Sequence, residues 1–177
     1  MMNMNGTMMK VMLPNENDEI KMLQFSEFNR HCNIFHFVTT RYGGVSVGNY
    51  ASSNTSEYCG DNPETVSYNR KLICDLVKIS PESLFVAYQV HGCSILNIDR
   101  NFLSLSNNEQ KKRLHGVDAL VTNLPGYCVA VTTADCVPIL LYDVNKKSGS
   151  CGTCRLARYS STDCSKDSTN NARVVFL

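Results

Sequence analysis

The sequence predicts a mixed α/β fold, and three observations support this. Asn62-Pro63-Glu64 places a capping residue, a proline and an acid where a helix would begin. Short runs rich in β-branched and aromatic residues, typical of strands, recur along the rest of the chain. With 177 residues, the chain is also long enough to bury one hydrophobic core.

The first half of the chain supplies one strand, a long loop and the helix. Residues 34–40 are apolar and β-branched, and the strand they predict runs into a turn at Gly43-Gly44. A Gly-, Ser- and Asn-rich loop over 47–60 follows. The helix is expected from Pro63 to about Ile79, since Ser80-Pro81 ends its apolar periodicity.

The second half is richer in strands. A strand over 84–90 leads to His91-Gly92, across which a strand over 94–99 is expected to pair with it. Residues 101–113 are polar and charged, which fits a loop or a solvated helix, and 118–122 form a short strand.

The chain is organised around residues 128–143. Two apolar runs, 128–131 and 137–141, flank a polar knuckle that ends in Asp135-Cys136, and each run is expected to be a largely buried strand. A carboxylate beside a thiol between buried strands is costly to leave unpaired. Cys136 is therefore a metal ligand, a nucleophile or an inert buried thiol, and spacing alone leaves these alternatives open.

Composition limits the partners and the compartment. The net charge is +1, without blocks of like charge, which argues against nucleic acid or an anionic membrane as a partner. No apolar run approaches the length of a membrane span. The nine cysteines are scattered and no secretory signal precedes them, so we expect reduced thiols in a cytoplasmic protein.

The chain is expected to contain one domain between two irregular ends. Residues 1–20 are polar and Met/Asn-rich, so we expect a mobile leader, with the domain over 21–144. Residues 145–177 have no helical or strand periodicity and are expected to be an aberrant or disordered tail. The C-x-x-C pair of Cys151 and Cys154 lies in that tail, and the second pair of a zinc ribbon is missing.

His91 is the best candidate partner of Cys136, because both follow apolar strands and so can project from one sheet edge. Such a pair can supply two of three zinc ligands, or a nucleophile and its base. A histidine satisfied locally in a turn is the alternative. Arg41, before Gly43-Gly44, is a candidate for binding an anion.

Five stretches carry a family resemblance: TTRYGGVSVGNY at 39–50, CGDNPETVSYNR at 59–70, QVHG at 89–92, DALVT at 118–122 and TADCVPILLYD at 133–143. In this order they resemble the YfiH-like, laccase-domain family. The resemblance implies an α/β sandwich and enzymes of purine nucleosides, with phosphorolysis of adenosine, inosine and methylthioadenosine and deamination of adenosine. Older descriptions of the family give copper polyphenol oxidases.

The resemblance also implies a zinc site, or alternatively a copper site, made by His91, Cys136 and the histidine of a later H-A-G-W-R-G block. In a relative, Arg41 would bind phosphate or a substrate anion, and Asp135 would orient a ligand or move a proton. Asn69 and Gln89 would make further polar contacts to the substrate.

The third block is absent, and the chain contains no Trp. Residues 151–159, CGTCRLARY, can be encoded so that reading one base later gives AVHAGWRG. We therefore expect a truncated or frameshifted member of the family, incomplete at its C-terminus, with the slip near residues 145–150. Weak metal binding, little turnover and exposed apolar surface should follow. The alternatives are a Cys-His hydrolase or deamidase, a copper polyphenol oxidase and a non-catalytic fragment.

Overall fold

The computed structural model describes residues 6–11, 20–31, 34–143 and 148–154, and within them the fold is mixed α/β as predicted. The strands are β1 (Gly6–Val11), β2 (Ile20–Phe25), β3 (Val38–Thr39), β4 (Leu84–Val86), β5 (Ile95–Ile98), β6 (Ala119–Thr122), β7 (Cys128–Ala130), β8 (Val137–Asp143) and β9 (Ser148–Cys154). The helices are α1 (Pro63–Val77), α2 (Arg100–Leu103) and α3 (Asn107–Leu114).

The strands form three sheets. An antiparallel sheet has the order β1-β2-β3, and β4 pairs with β7 in a two-stranded parallel sheet. The third sheet has the order β5-β6-β9-β8, in which β5 and β6 are parallel and the other pairs are antiparallel.

The β4–β7 pair lies at the centre of the core, because its two faces pack into different hydrophobic clusters. Phe85 and Val129 face one cluster, which is completed mainly by β5, β6, α2 and α3. Val86 and Ala130 face the other, which includes residues of β2 and α1. A parallel pair covered on both faces explains why the 128–131 run is continuously apolar rather than alternating.

Helix α1 confirms the predicted start at Pro63 and its capping, and it ends two residues before the expected Ile79. The Asn62 side chain accepts hydrogen bonds from the backbone N–H groups of Glu64 and Thr65. Val66 and Ile73 lie seven residues apart, and so on one face of the helix, and both are buried. The helix ends at Lys78, whose left-handed conformation turns the chain two residues before the expected stop at Ser80-Pro81.

Three expectations about strands are corrected. Only Val38–Thr39 of the predicted 34–40 strand pairs with a neighbour. β5 pairs with β6, and β4 with β7, so the strands on either side of the His91-Gly92 turn belong to different sheets. β8 is not largely buried: Val137 and Leu141 are 46% and 49% exposed, since one face of its sheet is open.

Two strands lie in ranges where none was expected. β1 pairs with β2 over six residues, inside the range expected to be a mobile leader. β9 pairs with β8 and β6, inside the range expected to be an aberrant or disordered tail. Both are held by backbone pairing, which needs no alternation of apolar side chains in the sequence. Residues 155–177 of that tail lie outside the described residues.

Gly43 and Gly44 are needed for packing within the protein. Gly43 has φ +89°, and a Cβ there would come within 2.5 Å of the backbone of Ile20. A Cβ on Gly44 would meet the Ser52 carbonyl oxygen at 2.3 Å.

None of the helices in the described ranges has the length and apolar character of a membrane-spanning segment.

Candidate functional site

The candidate site begins where two parallel strands end. β4 and β7 run in the same direction, and the Ala87 N–H extends their pairing by donating to the Ala130 carbonyl at 3.1 Å. The segments that follow, 88–91 and 131–136, therefore leave the sheet at the same edge. The carboxyl ends of parallel strands commonly carry binding sites in α/β proteins.

His91 and Cys136 meet beyond this edge, with the imidazole Nδ1 atom 3.9 Å from the Cys136 Sγ atom. The sequence predicts this pair, and the two side chains are brought together although 45 residues separate them. A tetrahedral zinc ion would hold such a sulfur and nitrogen about 3.6 Å apart. The His91 side chain is exposed and Cys136 is partly exposed, so solvent and small ligands reach the pair.

Gln89 ties the two segments together. Its Oε1 atom accepts hydrogen bonds from the Thr132 backbone N–H at 2.8 Å and from the Thr132 hydroxyl at 3.1 Å. The Thr133 hydroxyl then donates to the Cys136 carbonyl at 2.5 Å, which closes the knuckle that carries the thiol. Gln89 was expected to contact substrate; its amide oxygen bonds Thr132, and the expected substrate contact stays a prediction.

Asp118 holds the turn that carries His91. One carboxylate oxygen accepts the Val90 and His91 N–H groups at 3.1 and 2.7 Å, and the other accepts the Gly92 N–H at 2.9 Å. His91 has φ +59°, in the left-handed region that costs a non-glycine residue about 1–2 kcal/mol. Hydrogen bonds to a charged group contribute about 1.5–3 kcal/mol each, so three of them offset this strain.

The described residues supply two of the donor atoms that a metal would need. No group of three or more His, Cys, Asp or Glu side chains among them is arranged to hold a metal ion. Cys74 is 0% exposed on helix α1, and burial raises the pKa of its thiol to about 11, as is typical of an inert core cysteine. The chemistry of the pair, one thiol and one imidazole, fits two positions of a zinc or copper site, and no third donor joins them among the side chains that the structure describes up to Asp143.

Arg41 is exposed, and its Nε and Nη2 atoms both donate to the Ala51 carbonyl, at 3.1 and 2.7 Å. Its own carbonyl accepts from the backbone of Ser52 and Ser53. Arg41 therefore fastens the 41–53 loop. A guanidinium has five N–H donors, so these bonds leave donors for an anion.

Asn69 is 1% exposed and is used inside the protein. Its Oδ1 atom accepts the Val45 N–H at 2.9 Å, and its Nδ2 atom donates to the Ser46 hydroxyl and to the carbonyls of Ser52 and Asn54. All its polar atoms are thereby engaged with the 45–54 loop. The expected contact between Asn69 and substrate has no geometric support, because helix α1 uses this side chain to anchor the loop.

The remaining candidates fall into different places. Asp135 is exposed beside Cys136, so its carboxylate faces solvent and does not have the buried, costly position that two flanking buried strands implied. His36 is 1% exposed, and its Nε2 atom accepts the Phe25 N–H at 2.7 Å, so it is a core histidine. The backbone of Cys154 pairs with Val137, the neighbour of Cys136, within β9 and β8.

Sequence reasoning missed Asp118 and Thr132. Asp118 directly precedes a strand of buried residues, and an acid in such a position is costly unless it is hydrogen-bonded. That signal could have marked it as a residue with internal partners. The Gln89–Thr132 bond joins residues 43 positions apart, and single-residue patterns give no sign of it.

The comparisons with known proteins agree with the fold. The sequence profile described as multi-copper polyphenol oxidoreductase laccase matches residues 35–153. The structure is similar to the hypothetical protein YfiH of Bacillus licheniformis, with a TM-score of 0.62 and 25% identity, covering 75% of this chain and 48% of that one.

Two curated relatives have named activities. A purine nucleoside phosphorylase of Bacteroides thetaiotaomicron is 46% identical over 129 residues, which are 73% of this chain and 47% of that protein. Adenosine deaminase RL5, from an unknown prokaryotic organism, is 41% identical over 108 residues, covering 60% of this chain and 41% of that protein. The chain thus spans about half the length of the curated relatives it matches.

The predicted family is confirmed by the profile, whose match covers more than half of the chain, and by the shared fold. The chain belongs to the multi-copper polyphenol oxidoreductase laccase family, the family of YfiH-like, laccase-domain proteins.

Proposed function

We propose that this chain derives from a zinc-dependent enzyme of purine nucleosides, with His91 and Cys136 as two of its metal ligands. The reactions are phosphorolysis of adenosine, inosine and methylthioadenosine, and deamination of adenosine. The observation that carries the proposal is the 3.9 Å approach of the His91 Nδ1 atom to the Cys136 Sγ atom at the end of β4 and β7. The named activities of the relatives support the choice of substrate class.

The residues of the chain would share the work as follows. His91 and Cys136 would hold the ion, and zinc in such a site supplies Lewis acidity and an activated water. Asp135, which is exposed beside Cys136, would accept or return a proton. Arg41 would offer its remaining N–H donors to phosphate or to another substrate anion.

We further propose that metal binding and turnover are impaired in this chain, since the side chains described up to Asp143 provide two donors and the sequence lacks the H-A-G-W-R-G histidine. The alternative reading frame would place the missing histidine at about position 153. The backbone of Thr153 pairs with Pro138, two residues beyond Cys136, so this position is close to the donor pair. A threonine there provides a hydroxyl in place of an imidazole, which is a much poorer zinc ligand.

The test is a pair of assays on the purified 177-residue chain with zinc added. Inosine formation from adenosine and phosphate-dependent release of base from inosine are measured against a Cys136→Ser variant. Turnover at or near the background of that variant supports the proposal of impairment, and robust turnover refutes it. In the coding DNA, codons for 151–159 that cannot yield H-A-G-W-R-G in the next frame refute the frameshift.

A Cys-His hydrolase or deamidase is the second candidate, because the same 3.9 Å approach places an imidazole beside a thiol. The two proposals differ in the effect of metal on the thiol. If zinc protects Cys136 from alkylation, the metal site is supported; if alkylation proceeds unchanged in zinc and abolishes hydrolysis, Cys136 is a nucleophile. Oxidation of a phenol in the presence of copper alone would instead support a polyphenol oxidase.

A further inference from the structure

We propose that Asp118 is a positioning residue that fixes the His91 imidazole against Cys136 by binding the backbone of the turn 90–92. The inference rests on the proposed pairing of His91 with Cys136. The Asp118 carboxylate accepts three successive backbone N–H groups, from Val90, His91 and Gly92, at 3.1, 2.7 and 2.9 Å.

The conformation of His91 explains why such a contact is needed. His91 has φ +59°, and residues other than Gly, Asn and Asp rarely adopt this left-handed conformation. Three N–H groups that converge on one anion define the turn much as a bound anion does in a backbone nest. Removing the carboxylate would leave those N–H groups without their acceptor and release the turn.

Asp118 is itself held firmly. It is 4% exposed, it directly precedes β6, and its own N–H donates to the Ser94 carbonyl at 2.9 Å. The approach to Gly92 is also close, because a Cβ at Gly92 would lie 3.2 Å from the Asp118 Oδ2 atom. Because Asp118 is fixed at the start of β6, its carboxylate holds the exposed His91 imidazole at a defined position relative to that strand.

The contact is selective for the segment that carries His91. The Asp118 side chain contacts the backbone of 90–92, whereas Cys136 is reached by the His91 side chain. An effect of Asp118 on the Cys136 thiol should therefore pass through His91. A merely structural role would act on Cys136 whether or not the imidazole is present, and this difference can be measured.

The experiment is a double-mutant cycle read out at the thiol. The rate of Cys136 alkylation by iodoacetamide is followed at one pH by peptide mass spectrometry, without metal, in the full chain. The variants are His91→Asn, Asp118→Asn and both together; asparagine is chosen at 91 because it tolerates φ > 0. Asp99→Asn is the matched control, since the Asp99 carboxylate also accepts a backbone N–H, from Phe102 at 2.8 Å.

We expect His91→Asn and Asp118→Asn each to lower the rate of Cys136 alkylation at least about threefold. A change of this size is typical when residues of one contact network are coupled. In the His91→Asn background, Asp118→Asn should cause no further change, and Asp99→Asn should match the wild type. Gly92→Ala keeps the charge of Asp118 but crowds its Oδ2 atom, so it should lower the rate as well, even if Asp118→Asn fails to fold.

Two results would overturn this inference without affecting the proposed metal site. One is an unchanged rate in Asp118→Asn and Gly92→Ala although His91→Asn lowers it. The other is an equal effect of Asp118→Asn with and without the imidazole. If His91→Asn itself leaves the rate unchanged, the imidazole does not act on the thiol and this inference is refuted, whereas the proposed metal site is tested separately by the cobalt titration.

Discussion

The Nδ1 atom of His91 lies 3.9 Å from the Sγ atom of Cys136, although the two residues are 45 positions apart in the sequence. Three contacts produce this approach: the parallel pairing of β4 with β7, the Gln89–Thr132 bond and the Asp118 carboxylate under the His91 turn. The pair is thus a built feature of the fold rather than a chance contact between loops.

Stability should depend on pH through His36. Burial lowers the pKa of this histidine from its ordinary value of 6.5, and its Nε2 atom must stay unprotonated to accept the Phe25 N–H. The unfolded chain then binds the proton more readily than the folded chain below pH 6.5. The stabilisation is fully present above pH 6.5 and is lost as the pH falls from there through the lowered pKa of the folded state.

Urea denaturation between pH 7.5 and pH 5 measures the effect of His36. The free energy of unfolding should decrease toward acid in the wild type and much less in His36→Gln. An identical pH dependence in His36→Gln would contradict the assignment.

Asn69→Ala should destabilise the protein by about 2–4 kcal/mol, because it leaves buried partners in the 45–54 loop without their hydrogen bonds. Asn97→Ala, at an exposed position of β5, should change the free energy of unfolding by less than about 0.5 kcal/mol. Equal stabilities of the two variants in urea would show that Asn69 does not anchor the loop.

The two faces of the β5-β6-β9-β8 sheet should respond differently to truncation. Leu120 is 0% exposed, so Leu120→Ala should cost about 2–5 kcal/mol of unfolding free energy. Leu141 is 49% exposed, so Leu141→Ala should lower the free energy of unfolding by less than about 1 kcal/mol. A comparable loss in both variants, measured by thermal unfolding, would mean that Leu141 is covered in solution.

Position 153 offers a direct test of the missing ligand. Thr153→His should raise the affinity for Zn²⁺ at least about tenfold, because it adds a third donor beside His91 and Cys136. Ser148→His is the control: position 148 pairs with Asp143 at the far end of β8, so it should leave the affinity unchanged. Calorimetric titration measures both, and equal affinities would refute the proposed location.

Much of this fold could be predicted from local patterns. The Asn62 cap and the periodicity of Val66 and Ile73 indicated helix α1, and continuous apolar runs indicated β4 and β7. His91 and Cys136 could be paired because both follow such strands. These features depend on residues close together in the sequence or on strand ends that meet by topology.

The errors arose where distant contacts decide the outcome. The exposure of β8 depends on what covers its sheet, and the pairing of β5 with β6 depends on the crossover through α2 and α3. Asn69 was expected at the substrate because a buried amide and a binding amide look alike in sequence. Its four internal hydrogen bonds become visible only when the 45–54 loop is in place.

The central claim is that His91 and Cys136 bind one metal ion, and titration of the full chain with Co²⁺ under reducing conditions tests it most directly. We predict weak binding with a sulfur-to-cobalt charge-transfer absorption, which disappears in Cys136→Ser and is reduced in His91→Asn, while Cys59→Ser matches the wild type. The claim is contradicted if the wild type shows no such absorption at any cobalt concentration, or if Cys136→Ser retains it.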